Sequence, residues 1–297
     1  MKTLSNNLIA TYCLLATISA VIIGCQTNDN PTNNGLAISN ATLDATFTID
    51  QTNASQNKYV LNANDKNVLA NIWNLNDGNN PKNGSSNYSV FIPDAGTYNI
   101  QHTSVGRGGA SDTKSQTLVV PTSDPISGNL VQGGRFQNVA DHAKWTILNI
   151  AGSHINWTFG NGFANVSGAS PTAYGQQGIY QAMQIIANKE YFVDMNIKGN
   201  ACLSSWFEVY IGTAVPQQNN DYNSGGKRIS ISTFGCLMSN AFDGKLLTLS
   251  CDGSGGKKIK FPTSGTVYLV IRSGGFNNNT LGTGGIRISN VEFRGEK

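Results

Sequence analysis

Trp206, Glu208 and Tyr210 alternate with Phe207, Val209 and Ile211 within residues 204–212. Successive side chains of a β-strand point to opposite faces, so one face of this stretch is apolar and the other sets two aromatic rings on either side of a carboxylate. Aromatic rings lie against the apolar C–H face of a pyranose, and a carboxylate accepts the hydrogens of its hydroxyl groups. The pattern is that of a surface that holds a sugar; it is also that of a second buried face under a loop or another sheet. Residues 265–274 alternate in the same way, with Val267, Leu269 and Ile271 against Tyr268, Val270 and Arg272. If the two stretches share a sheet, Tyr268 and Arg272 stand beside the first row, where Arg272 either meets the ligand or forms a cross-strand ion pair with Glu208. Asp194 adds a hydroxyl acceptor, and Tyr222, in a glycine-rich loop, is placed for a mobile rim.

Hydrolysis of a glycosidic bond needs two carboxylates roughly 5–9.5 Å apart. Glu208 and Asp194 are the pair that one groove would bring together, but neither lies in a recognisable catalytic signature. There is no Gly-x-Ser-x-Gly nucleophile turn and no phosphate-cradling loop; the glycine runs at 224–226, 253–256 and 282–285 read as turns. The expectation is a binding protein without catalytic residues. The three histidines, at positions 102, 142 and 154, are dispersed, and the cysteines fit no tight ligand spacing, so no metal centre is expected.

The elements that must position these residues are strands. Asn, Gly, Ser and Thr are abundant, helical periodicity is missing, and charged residues are 12% of the chain with a net charge of +3 and no basic runs. The expected class is all-β, and nucleic acid is excluded as a partner. Residues 1–24 carry Lys2 and then an apolar run too short and interrupted for a comfortable membrane span, the layout of an export signal. Residues 26–35 contain nothing able to join a core and read as a tether. About 270 residues remain after the signal, enough for two compact domains. Residues 36–120 hold short strands at 46–50, 58–62 and 71–78, the last ending in an Asp-Gly turn signal, and a strand, corner and strand across 89–101, a small β-sandwich. The prolines of 121–125 mark a stiff linker, and residues 126–297 form a second β-domain. There Ile155, Trp157 and Phe159 share a core face, followed by strands at 178–185 and 191–198.

Several segments resemble known families. Ile22-Ile23-Gly24-Cys25 resembles the lipobox of bacterial lipoproteins, which implies lipidation of Cys25 and a membrane-anchored protein. Trp73 to Gly78 and the Pro93, Gly96, Tyr98 segment resemble the PKD-type immunoglobulin-like domain, although Asn74, Leu75 and Asn76 depart from its pattern; the resemblance implies a spacer with Trp73 and Tyr98 in its core. From Leu130-Val131-x-Gly-Gly134-x-Phe136 through Trp157-x-Phe159, Lys189-x-Tyr191 and Trp206-x-Glu208-x-Tyr210-Ile211-Gly212 to the closing strands at 265–274 and 285–293, the order of segments resembles the β-jelly-roll of family 4/9/16/22-like carbohydrate-binding modules. Such modules often hold a structural calcium near the first and last strands. Here Gln137 and Asn290 stand where the family often has Glu and Asp, which removes the charge a hard cation wants and leaves calcium unassigned.

With Cys13 in the signal and Cys25 lipidated, Cys202, Cys236 and Cys251 remain, so at most one intramolecular disulfide forms; Cys236 and Cys251, which bracket the 240–244 loop, are the chosen pair. Anchor, tether, spacer and module together resemble the surface glycan-binding lipoproteins of Bacteroidota. The resemblance implies an outer-membrane protein at the cell surface that captures polysaccharide for a neighbouring transporter complex and glycanases; the resemblance to family 4-like modules implies a β-glucan such as laminarin as the ligand. The alternative, from a different class, is an adhesin or envelope protein whose sandwiches contact protein partners.

Overall fold

The computed structural model describes residues 42–64, 68–168, 170–235, 237–250, 258–277 and 280–295. The expected export signal, Cys25, the whole tether, and the Cys236–Cys251 pair lie outside these residues. The chain is all-β, with two four-residue helices, α1 (Val139–His142) and α2 (Leu246–Leu249), among the described residues. It divides into two compact units. The first comprises the described residues up to Ile49 with Val60–Tyr88 and Asn99–Thr117, and the second comprises Asp50–Tyr59, Ser89–Tyr98 and the chain from Leu118 onward.

The N-terminal strands make two sheets. One has the order β1 (Phe47–Asp50), β2 (Lys58–Ala63), β5 (Asn87–Phe91); the other has the order β4 (Lys82–Gly84), β3 (Ala70–Asn74), β6 (Gly96–Val105), β7 (Ser111–Val120). Trp73 is 1% exposed and lies at the centre of the first unit. Its ring meets Phe47 edge-on at 5.3 Å and stacks on His102 at 4.1 Å, joining β1 of one sheet to β3 and β6 of the other. The buried His102 has its ring nitrogens within hydrogen-bond distance of Ala45 O, at 2.9 Å, and of the Asn71 side-chain amide, at 2.7 Å. Tyr98 is half-buried and its hydroxyl donates to Asp94 O across the Pro93–Gly96 corner.

The remaining strands form two sheets over one core. A six-stranded sheet runs β15 (Phe242–Lys245), β12 (Glu190–Gly199), β18 (Ile286–Gly295), β10 (Phe163–Gly168), β9 (Ile155–Gly160), with β16 (Lys258–Lys260) also paired to β12. A five-stranded sheet runs β14 (Lys227–Ser232), β13 (Ser205–Gly212), β17 (Gly265–Asn277), β11 (Ser170–Ile185), β8 (Thr146–Ala151). Alternation decides which side chains face inward. Tyr191, Val193, Met195 and Ile197 of β12 meet Phe207, Val209 and Ile211 of β13 and Val267, Leu269 and Ile271 of β17 in one apolar cluster. Trp157 joins it, as its strand parity predicts, with its indole N–H donating to Gln177 O at 3.0 Å.

Within the second unit, Arg294 on β18 makes two hydrogen bonds to the Asp94 carboxylate, at 2.6 and 2.7 Å, and a third to Glu292. Burial pushes the Asp94 carboxyl up, but the Arg294 hydrogen bonds, the Asn129 N–H and the guanidinium charge outweigh it and hold the group below the ordinary Asp range. A depressed carboxyl contributes stability above its unfolded pKa and loses it as pH falls through the folded value. Asp94→Asn is therefore expected to cost about 1–3 kcal/mol at pH 7. In urea unfolding at stepped pH, the gap to the parent narrows below roughly pH 4; a gap independent of pH would remove the carboxylate from this role. Cys202 is free and buried, and burial pushes its thiol up to about 11. It stays protonated at pH 8 and is expected to be inert to a thiol reagent until the fold opens; reaction of the native protein as fast as that of unfolded chain would contradict its burial.

Candidate functional site

The five-stranded sheet has its apolar face against the core, and its other face carries the residues singled out by alternation. Register places Glu208 opposite Arg272, Trp206 opposite Gly274 and Tyr210 opposite Val270 on β13 and β17. On the far side of β17, Gln176 of β11 pairs with Gly274, Gly178 with Arg272 and Tyr180 with Val270. Trp206, Glu208, Tyr210, Arg272 and Tyr268 therefore do share one sheet face.

That face is divided in two by the segment between β13 and β14, residues 213–226. It crosses from one edge of the sheet to the other. Tyr222 is buried, its ring edge-on to Tyr210 at 6.4 Å and its hydroxyl donating to Ala214 O at 2.9 Å. At the far edge the Gln218 amide donates to Ile147 O and accepts from Asn149 N on β8, each at 2.9 Å, and Asn219 N donates to Asn149 O at 2.7 Å. Beneath lie Leu148, Ile150, Tyr210, Tyr222 and Val270, a second apolar cluster with Tyr180 and Tyr268 packed at its margin. For this half the buried alternative holds: Tyr210 and Tyr222 are covered, and Tyr222 is a fixed part of the covering segment where a mobile rim was expected.

Arg272 fastens the segment. Its side chain is 7% exposed. Nε and Nη2 donate to Glu208 Oε2 at 2.9 and 2.7 Å, Nη2 also to the Tyr210 hydroxyl at 2.8 Å, and Nη1 to Asp221 and to Tyr222 O at 2.9 Å. The guanidinium carbon lies 4.3 Å from the Tyr210 ring centre, a cation–π contact. A guanidinium has five N–H donors and no acceptor, and this one directs all three of its nitrogens inward, so Arg272 positions its neighbours. Burial is the first cause that pushes the Tyr210 hydroxyl up to about 12, which keeps it protonated, accepting from Arg272 and donating to Glu208 Oε2 at 3.3 Å.

The other half of the face is open. Trp206 is half-buried and stacks on the exposed Tyr174 at 5.4 Å with 18° between the ring planes. Glycine at 274 makes this possible, since a Cβ there would stand 2.9 Å from Trp206 Cζ2 and 2.6 Å from Gly175 O. The Gln176 amide is satisfied with its oxygen accepting from Trp206 Nε1 and Arg272 Nε, each at 3.2 Å, and its nitrogen donating to the Tyr174 hydroxyl. Glu208 is 14% exposed, with Lys227 Nζ 3.8 Å from Oε1. The open half thus presents a fixed aromatic pair; the Gln176 amide that braces it is buried, and the Glu208 carboxylate beside it is partly exposed. Tyr174 and Gln176 were not foreseen, because the expected strand began at 178; carrying its alternation back by two residues and then two more reaches both.

Asp194 does not join this group. It lies on β12 in the six-stranded sheet, where Oδ1 accepts from Leu247 N at 3.0 Å and Oδ2 is 3.7 Å from Lys245 Nζ. β12 alternates as β13 does, and alternation does not say to which sheet a strand belongs. Beside Gln137, the carbonyls of Phe136 and Gly160 both lie 3.1 Å from His142 Nε2, while Asn290 is exposed. Among the described residues no group of three or more His, Cys, Asp or Glu is placed to hold a metal ion. Gln137 and Asn290 themselves carry no charge, and the Asp141 carboxylate accepts from Gln137 N at 2.8 Å.

No protein-family model matches the chain, and no curated protein matches it. Solved structures are similar at low identity. A structure of promiscuous carbohydrate-binding modules of the β-sandwich superfamily is 14% identical, with 84% of this chain and 97% of that chain covered at a TM-score of 0.31. A family 4 carbohydrate-binding module (CBM4) is 14% identical, with 56% and 99% covered at 0.35. Chitinase ChiA74 from Bacillus thuringiensis is 10% identical, with 85% and 29% covered at 0.21. At these TM-scores none of the likenesses decides the fold or the ligand of this chain.

Removing Arg272 would strand Glu208 and free the 213–226 segment. Arg272→Met is expected to cost about 3–5 kcal/mol in urea unfolding and to open the segment to limited proteolysis. Adding Glu208→Leu should recover part of the loss, and an Arg272→Met protein as stable as the parent would show that the ion pair does not hold the segment.

Proposed function

We propose that the second unit is a non-catalytic polysaccharide-binding module, and that its ligand lies on the open half of the five-stranded sheet. The observation that carries this reading is the Trp206–Tyr174 pair, two rings held parallel at the surface with the Gln176 amide and the Glu208 carboxylate beside them. Fixed rings offer contact to the C–H faces of sugars at little cost in conformational entropy, and the partly exposed Glu208 carboxylate can accept a hydroxyl hydrogen. Such a site supports weak binding, micromolar to millimolar, or roughly −8 to −4 kcal/mol.

The non-catalytic part of the reading draws on the carboxylates. Glu208 and Asp221 are both bound to Arg272, and Asp194, the partner a hydrolytic pair with Glu208 would require, is in the other sheet. The finer assignments follow the resemblances of the sequence. In this proposal Cys25 carries a lipid anchor on the outer membrane, the PKD-like region is a spacer, and the module captures a β-glucan such as laminarin at the cell surface for a neighbouring transporter and glycanases.

In native gels containing candidate polysaccharides, at least one neutral glycan is expected to retard the protein, and Trp206→Ala to abolish the retardation. The reading fails if no glycan slows the protein. Release of reducing sugar from the same panel would instead make it an enzyme.

A further inference from the structure

Beyond the Trp206–Tyr174 pair, the same sheet face carries a second pair of rings. Phe276 on β17 is two residues past Gly274, the residue opposite Trp206, and Phe234, in the turn that follows Ser232 of β14, is brought to the same place by its ring contact with Phe276. The two phenyl rings stack across the start of β13, 6.4 Å between centres and 26° between planes, while Phe276 N donates to Ser204 O at 3.1 Å. Phe234 is 65% and Phe276 49% exposed. Two large apolar side chains stacked on each other and open to water bury less than they can, and such a patch marks a contact surface.

We infer that Phe234 and Phe276 form a second stacking position for the same uncharged glycan chain, so that the ligand is a run of several sugars lying across both ring pairs. The inference rests on the proposed function and extends it from a point of contact to a track. Three features select this occupant. The second pair is one row along the sheet from Trp206, a step of roughly 6.6 Å for two residues of a strand, comparable to the advance of one sugar in an extended chain. The residues of the intervening row are Ser232, Trp206, Gly274 and Gln176, none of them charged, so an anionic or cationic chain finds no counter-charge there. Phenyl rings carry no hydrogen-bonding group, so contact there is through C–H faces alone, which suits a chain oriented by polar groups elsewhere. The partly exposed Glu208 carboxylate supplies such a group two rows away.

The test uses the full-length protein and two neutral ladders, laminari- and cello-oligosaccharides from the disaccharide to the heptasaccharide, titrated calorimetrically. Affinity should climb with chain length until both pairs are spanned and then level off. Phe234→Ala/Phe276→Ala should lower affinity for the long members by about tenfold and leave the shortest bound member unchanged, whereas Trp206→Ala lowers all. The single, milder Phe276→Gln guards against a folding defect, and each variant is checked by its thermal transition. If Trp206→Ala abolishes binding while the Phe variants bind every length as the parent does, the second position is overturned and the proposed function stands. If neither the ladders nor any neutral polysaccharide is bound by the parent, the proposed function itself falls. If the Phe variants turn a dimer into a monomer by light scattering and leave glycan binding intact, the rings serve a second copy of the chain, and the inference is overturned.

Discussion

A guanidinium buried on the outward face of a sheet is the constraint from which the arrangement of this face follows. Taking Arg272 out of water costs several kcal/mol unless each donor finds an oxygen. The partners come from three places: Glu208 and Tyr210 on the neighbouring strand, Asp221 and the Tyr222 carbonyl in the crossing segment, and Gln176 on the strand opposite. Satisfying one side chain thus ties β13, β17 and β11 to the 213–226 segment. The segment then has little choice of path, and the apolar residues under it become a small second core.

The same constraint settles what is left open. The crossing segment ends its coverage at the Arg272 row, and the rows beyond it carry rings, serines, glycine and an amide. One strand alternation, continued along a single face, therefore passes from a covered interior to a wettable aromatic surface. The boundary is set by a charge that had to be enclosed, and Gln176 stands on it, one oxygen serving both the guanidinium and the indole.

Much of this was legible in the residue pattern. Alternation in 204–212 and 265–274 predicts correctly which side chains leave the core, and the supposition that both stretches share a sheet is met by direct pairing, Glu208 opposite Arg272. The all-β class and the inward Trp157 follow from composition and parity, whereas the buried Trp73 was implied by a family resemblance alone. What alternation does not encode is the order of strands, so Asp194 was grouped with Glu208 although its strand belongs elsewhere. Nor does a glycine-rich loop announce a distant partner: the mobility expected of Tyr222 is undone by contacts to Arg272, fifty residues later. Tyr174, Phe234 and Phe276 were passed over for a simpler reason. Each lies just beyond the end of an apolar run, Tyr174 and Phe276 where the strands continue without the hydrophobic signal that marks them and Phe234 in the turn that follows β14.

The Gln218 amide has one more consequence. β8 is the last strand of its sheet, and a free edge offers unpaired N–H and C=O groups to any extended chain that drifts past. By donating to Ile147 O and accepting from Asn149 N, a single side chain reproduces the two hydrogen bonds that another strand's backbone would make, and Asn219 adds the next. The sheet is in this sense closed by a glutamine. At this edge the backbone is thereby kept from the edge-to-edge pairing that leads to aggregation.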